Sequence, residues 1–140
     1  MPERQLTADL LLKHTPPCLE VLGIHGLRMN EAENSLELDF DVDESCCHSG
    51  NIVQGGFVTA MLDASMAHAV IMRADALVPV PTLDLHVSFF APSLAGRFTA
   101  IGKIIRMGSS VGFLEASLRN EAGEITAQAT STVAVRQKKS

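Results

Sequence analysis

The stretch Gly55-Gly56-Phe57-Val58-Thr59-Ala60-Met61-Leu62-Asp63-Ala64-Ser65-Met66-Ala67-His68-Ala69-Val70-Ile71-Met72-Arg73-Ala74-Asp75 decides the fold. It is apolar nearly all round and is rich in Ala, Met and Leu, which are good helix formers. About twenty residues in a helix span roughly 30 Å. The apolar run from Phe57 to Met72 is interrupted by Asp63 and His68 and is short for a bilayer span, so the reading is a buried helix. Such a helix must be covered on most sides, and the rest of the chain must supply the cover.

Upstream, Ser35-Leu36-Glu37-Leu38-Asp39-Phe40-Asp41-Val42 alternates strictly, with Leu36, Leu38, Phe40 and Val42 on one face and acidic residues on the other. Period two is the mark of a half-buried strand. A shorter strand is expected from Ile24 to Asn30, with a turn at 30–34. Residues 7–22 read as one or two short helical turns broken at Thr15-Pro16-Pro17, and 43–54 as a loop. Downstream, four strands are expected: Pro81 to Phe90, Arg97 to Arg106, Val111 to Leu118 and Ile125 to Val135. The turns between them are Pro92-Ser93-Leu94-Ala95-Gly96, Gly108-Ser109-Ser110 and Asn120-Glu121-Ala122-Gly123. In the first of these strands Leu83, Leu85, Val87 and Phe89 alternate against Thr82, Asp84, His86 and Ser88. The simplest way to bury the helix is to wrap the sheet around it. The predicted class is therefore α+β, a curved antiparallel sheet around one long central helix, which is the hotdog architecture. One sheet covers only part of the helix and leaves two edges, which sheet-to-sheet dimerisation would manage.

A chain of 140 residues with 46% apolar and 19% charged residues is read as one folded domain over 1–140. Its formal charge of −5 and the lack of a basic stripe interleaved with aromatics argue against nucleic acid as a partner. The basic group Arg136, Lys138 and Lys139 reads as a solvated tail over 136–140. Cys18, Cys46 and Cys47 are odd in number, and the adjacent pair is poorly placed to bridge itself. With no secretory signal at the N-terminus, the expectation is a cytoplasmic protein. There is no Trp and no Tyr, which excludes a tyrosine acid or nucleophile.

Asp63 is the chemical anomaly. Its helical neighbours Thr59, Ala60, Met66 and Ala67 make a small, apolar face, and a carboxylate there needs either a partner or a task. A structural carboxylate satisfied by a hydroxyl or an arginine is the alternative. Gly55-Gly56 at the helix start is the second feature. The first turn of a helix offers free N–H groups and a positive dipole end, and glycine lets a carbonyl approach them. That is an oxyanion-type site, although a Gly-Gly pair chosen only for its turn would look the same. Asp63 lies 63 − 55 = 8 residues past Gly55, about 12 Å along the axis at a rise of about 1.5 Å per residue. One carbonyl cannot meet both groups of one chain, so a shared site requires Asp63 from a two-fold partner.

The run His48-Ser49-Gly50-Asn51-Ile52-Val53-Gln54-Gly55-Gly56, with Asp63 eight residues after the first Gly of the pair, resembles the signature of PaaI-like (phenylacetate-pathway type) hotdog thioesterases. Pro81-Thr82-Leu83-Asp84-Leu85-His86-Val87-Ser88-Phe89-Phe90-Ala91-Pro92 resembles the following strand of that family, and the likeness covers roughly residues 20–135. The resemblance implies hydrolysis of acyl-CoA to a free acid and CoA, with no metal or redox cofactor. It implies Asp63 as nucleophile or general base, the N–H of Gly55 or Gly56 on the carbonyl, and Thr82 as a hydroxyl near the carboxylate, helping to place water. It also implies a homodimer, assembled further into a homotetramer as a dimer of dimers.

Three positions depart from the family pattern. His48 stands where Asn or Gln is usual, an ionisable ring for a neutral amide, or else a loop histidine with no role. Asn51 replaces a frequent Gly, which suits a left-handed backbone. Gln54 replaces the His before Gly-Gly, keeping a hydrogen-bond donor for substrate but no proton shuttle. Cys46-Cys47-His48 lacks metal-ligand spacing, and a nucleophilic Cys47 would need a polarised pocket. His68 and His86 read as ordinary helix and strand residues. Phe89, Phe90 and Phe113 suggest an apolar acyl pocket. Two rival readings stay open: a hotdog hydratase or dehydratase, with His48 and Asp63 fifteen apart but no His-Phe-Pro neighbourhood, and a non-catalytic acyl-CoA-binding protein.

Overall fold

The computed structural model describes residues 4–135, so the basic tail group lies outside the described residues. Two short helices open the chain, α1 at Ala8–Lys13 and α2 at Pro17–Glu20. Thr7 caps α1 by accepting from the Leu10 N–H, and Pro17 begins α2, where its missing N–H costs nothing. Strands β1 (Gly26–Asn30) and β2 (Ser35–Val42) form a hairpin whose turn places Asn34 at a left-handed φ of 51°.

The expected loop after β2 has structure of its own. A single 3₁₀ turn at Glu44–Cys46 is capped by the Asp43 carboxylate. A small hairpin follows, β3 (Cys47–Ser49) and β4 (Ile52–Val53). The residue that turns left-handed there is Gly50, at φ 59°, and not Asn51. The backbone reason offered for Asn51 is therefore incorrect; its carbonyl instead accepts from the Ala95 N–H at 2.8 Å.

The long helix α3 runs from Gly55 to Ala74. Four strands follow: β5 (Thr82–Phe89), β6 (Gly96–Met107), β7 (Val111–Asn120) and β8 (Ile125–Ala134). They join β1 and β2 in one antiparallel sheet of order β1-β2-β6-β7-β8-β5, curved around α3. This is the hotdog fold. The core forms where Leu36, Leu38, Phe40, Leu114 and Leu118 meet Met61, Leu62 and Met66 of the helix, all at or below 2% exposure. Each such side chain contributes roughly 1.5–3 kcal/mol by leaving water. Gly102 of β6 lies directly beneath the helix: a Cβ there would sit 2.3 Å from the Ser65 carbonyl oxygen, so only glycine lets helix and sheet approach so closely. By length and apolarity α3 would suffice to cross a bilayer, yet here its buried residues lie against the sheet.

The cover is one-sided. Gly56, Ala60, Asp63, Ala67 and Ile71 form a stripe along α3 that the chain leaves partly open. Beside it runs β5, an edge strand paired only with β8, with Leu83 and Phe89 more than half exposed.

Candidate active site

Two local devices build the site. The first is a bulge. Thr82 pairs with Val133, but the next register position joins Asp84 to Thr132, so Leu83 is an extra residue in β5. The sequence alternation put Thr82 on the face of Asp84 and His86, away from Leu85 and Val87. The extra residue reverses that: Thr82 shares the inner face with Val133, while Asp84 faces out with Thr132. A bulge re-aims a side chain in this way. The Thr82 hydroxyl consequently donates to Asp63 Oδ1 at 2.8 Å. Among the described residues nothing else bonds Asp63, so Oδ2 is left for solvent or substrate. Asp63 is half-buried rather than sealed in the core. Thr82 thus orients the carboxylate, and its proton is engaged there instead of on a water.

The second device finishes the helix start. Gln54 is the N-cap, and its side-chain Oε1 accepts from the Gly56 N–H at 2.7 Å. The Phe57 and Val58 N–H groups turn back to the Gln54 carbonyl. Gly56 is thereby occupied as a donor, and the Gly55 N–H is the one without a partner among the described residues. The choice between the two glycines falls on Gly55. Gln54 works as a cap, which sequence reading missed because glutamine is not among the favoured N-cap residues; its amide NH₂ has no partner among the described residues.

The Gly55 end is held in place by the loop around it. Gln54 N–H bonds the Cys46 carbonyl at 2.8 Å, and Val53 N–H bonds the Ser93 carbonyl at 2.7 Å. Buried Thr126, the extra residue of a second bulge where β8 meets β7, accepts from the Phe90 N–H and from the Ser93 hydroxyl. Against this scaffold lies an open cavity of about 430 Å³ lined by Gly55, His48, Ile52, Val58, Phe89 and Phe90, among others. His48 is exposed there, its Nδ1 2.8 Å from the Ser49 hydroxyl. Asn51 is exposed on the turn of the small hairpin and offers only its carbonyl to the protein.

The structure therefore makes two clusters: Asp63 with Thr82, and Gly55 with Gln54 and His48. The unbroken helix keeps them about 12 Å apart along its axis. Phe113 belongs to neither. It shares the outer face of β7 with Glu115 and Ser117, so its place in an acyl pocket is withdrawn. Cys46 is buried, and burial together with Cys46, Glu44 and Asp43 raises the Cys47 thiol pKa, the reverse of what a thiolate nucleophile needs. His68 is buried in α3, with Nδ1 2.8 Å from the Ala64 carbonyl.

The sequence profile of the thioesterase superfamily matches residues 50–127, which span the small hairpin, α3 and the strands that carry both clusters. The chain belongs to the thioesterase superfamily. Among solved structures, this thioesterase-superfamily chain is similar to a phenylacetic acid degradation-related protein of Ralstonia eutropha JMP134, provisionally named a thioesterase. The two are 30% identical, with a TM-score of 0.79 over 86% of this chain and 91% of the other. It shares its fold with the PaaI protein of E. coli, from the phenylacetic acid degradation operon, at 14% identity and a TM-score of 0.78, covering 96% and 94% of the two chains. A relative in Saccharolobus solfataricus, provisionally named an esterase, is 24% identical over 119 residues, 85% of this chain and 83% of its own. The resemblance to PaaI-type thioesterases read from the motif is thus met by both family and fold.

Proposed function

We propose that this thioesterase-superfamily protein hydrolyses acyl-CoA to a carboxylic acid and CoA in a site completed by two copies of the chain. The observation that carries the reading is the half-satisfied carboxylate. Thr82 fixes one oxygen of Asp63 and the other stays open, on a helix whose first N–H, at Gly55, is also open. The thioester oxygen accepts from the Gly55 N–H, where the helix dipole favours the charge that develops. Asp63 of the second copy takes a proton from water as the water oxygen bonds to the carbonyl carbon. When the tetrahedral intermediate collapses, the C–S bond breaks and the proton passes to the CoA sulfur. Direct attack by Asp63, through an anhydride that water then opens, uses the same geometry. CoA enters as part of the substrate and the reaction consumes only water.

The open stripe on α3 and the uncovered edge of β5 support the two-fold arrangement, because together they flank Asp63 with small and apolar surface. That the Ralstonia relative is described as phenylacetic acid degradation-related makes phenylacetyl-CoA a natural first substrate. The test is thiol release from a panel of acyl-CoAs by wild type and Asp63→Ala, with oligomeric state measured for both. The expected result is a loss of roughly 10²–10⁴-fold in Asp63→Ala with assembly intact, the range that a positioned acid–base group contributes. Turnover indifferent to Asp63, or full activity in a monomer, would overturn the reading.

A further inference from the structure

The cavity beside Gly55 has walls of an unusual kind. Ile52, Val58, Phe89, Phe90, Ala91 and Pro92 supply apolar surface, and no Lys or Arg is among its lining residues. Apart from the Gly55 N–H and the exposed His48 ring, the polar groups of that wall are engaged elsewhere. The Ser93 hydroxyl donates to Thr126 Oγ1, the Phe90 and Ala91 N–H groups to the Thr126 carbonyl, and the Val53 N–H to the Ser93 carbonyl. Phe89 closes over the glycine itself: its ring atoms lie 3.4 and 3.5 Å from where a Gly55 Cβ would be, yet the ring is 55% exposed.

From these walls we infer that the cavity seats the acyl group of the substrate, and that Phe89 sets the preference for apolar acyl chains and aryl rings over short or carboxylated ones. The inference rests on the thioester reading above. The pantetheine arm of CoA carries two amides, and the surface made by Ile52, Val58, Phe89 and Phe90 side chains offers them no hydrogen-bond partner. An acyl chain makes no such demand. A terminal carboxylate, as in succinyl-CoA, would lose water against Phe89 and Ile52 with no Lys or Arg to pair it, the exposed His48 being the one ionisable side chain of the lining.

The experiment measures binding rather than turnover, so that it stands apart from the chemistry of Asp63. Calorimetry with S-alkyl-CoA thioethers from methyl to hexyl, which contain no scissile carbonyl, should show affinity rising about fourfold per methylene in the wild type, the equivalent of ~0.8 kcal/mol per buried CH₂. In Phe89→Ala that slope should flatten, and in Phe89→Leu, which guards against a merely unfolded variant, most of it should return. S-carboxypropyl-CoA should bind at least tenfold more weakly than S-butyl-CoA. A flat series in the wild type, or an unchanged slope in Phe89→Ala, overturns the inference. So does a Phe89 effect that follows truncation of the thiol, read with S-hexyl-N-acetylcysteamine, rather than the alkyl length. If the slope appears but turnover ignores Asp63, the acyl seat stands and the catalytic reading falls.

Discussion

The two ends of α3 are finished in opposite ways. At the C-terminal end the chain's own groups finish the helix. Asp75 takes the left-handed cap at φ 53° and its N–H bonds the Met72 carbonyl. The Arg4 guanidinium donates twice to that same carbonyl, at 2.9 and 2.7 Å, and its positive charge lies at the negative end of the helix dipole. In return the Asp75 carboxylate accepts from the Gln5 and Leu6 N–H groups, clasping the N-terminal segment to the helix. At the other end Gln54 satisfies the Gly56 N–H, that of Gly55 is bare, and the half-exposed Phe89 stands over it. A helix finished equally well at both ends would have no place for a carbonyl oxygen. The contrast separates a stability end from a chemical end, and it can be broken by substitutions that respect only one of them.

The largest effect is expected where β5 meets Asp63. Thr82→Val removes the hydroxyl that orients Asp63 and should lower kcat about tenfold to a hundredfold. Because Thr82 is exposed, water can take the place of that bond in the resting protein, and Tm should change little. Deleting Leu83 removes the bulge but leaves Thr82 next to Asp84 and still opposite Val133 on the inner face, so it should cost far less kcat than Thr82→Val does. Steady-state kinetics on one acyl-CoA checks both. Full activity in Thr82→Val would mean that the re-aimed hydroxyl has no part in the site.

The bulge also shows where sequence reading ends. Strict alternation from Leu36 to Val42 is a side-chain pattern, and β2 appears where it was expected. The run after Gly55 is likewise a pattern of helix formers, and Asp63 stands out in it because its chemistry contradicts its neighbours. Leu83 carries no such mark. An apolar residue at a strand start fits either register, and only the pairing with Val133 and Thr132 reveals the extra step. The clasp was equally hidden, since it joins backbone N–H groups at Gln5 and Leu6 to a side chain about seventy residues away. Phe113, by contrast, was legible: it shares the parity of Glu115 and Ser117, and counting aromatics without that parity put it on the wrong side of the sheet. Gly50 was open to the same correction, since a left-handed turn beside an asparagine favours the glycine.

A smaller effect, of the opposite kind, is expected at the clasp. Arg4→Ala loses two helix-capping hydrogen bonds, roughly 1 kcal/mol net, and should lower Tm by about 3–5 °C without changing kcat. Asp75→Asn keeps the left-handed backbone and removes the charge. The Gln5 and Leu6 N–H groups hold the Asp75 carboxyl below its ordinary pKa, so its contribution is complete above about pH 3.9 and is lost as pH falls through the lower, folded value. The Tm difference between wild type and Asp75→Asn should therefore shrink on acidification below that point. A fall in kcat in either variant would show that the two ends are coupled after all.

The smallest effect belongs to His68, which lies between the two ends and reports how dry the helix is there. Burial lowers its pKa, and the bond from Nδ1–H to the Ala64 carbonyl offsets only part of that. The unfolded chain takes up the proton near pH 6.5 while the folded protein does not. As pH falls below about 6.5 the unfolded state gains relative to the folded one, and the loss of stability grows until pH reaches the folded value, below which it is constant. His68→Gln has no ring to protonate. Its Tm should therefore fall less than that of the wild type between pH 7.5 and 5, measured in parallel by thermal unfolding. Parallel curves would mean that the ring is protonated in place, with water reaching the middle of the helix from the open stripe around Asp63. In that case the division between a dry end and a chemical end would lie further along the helix than His68.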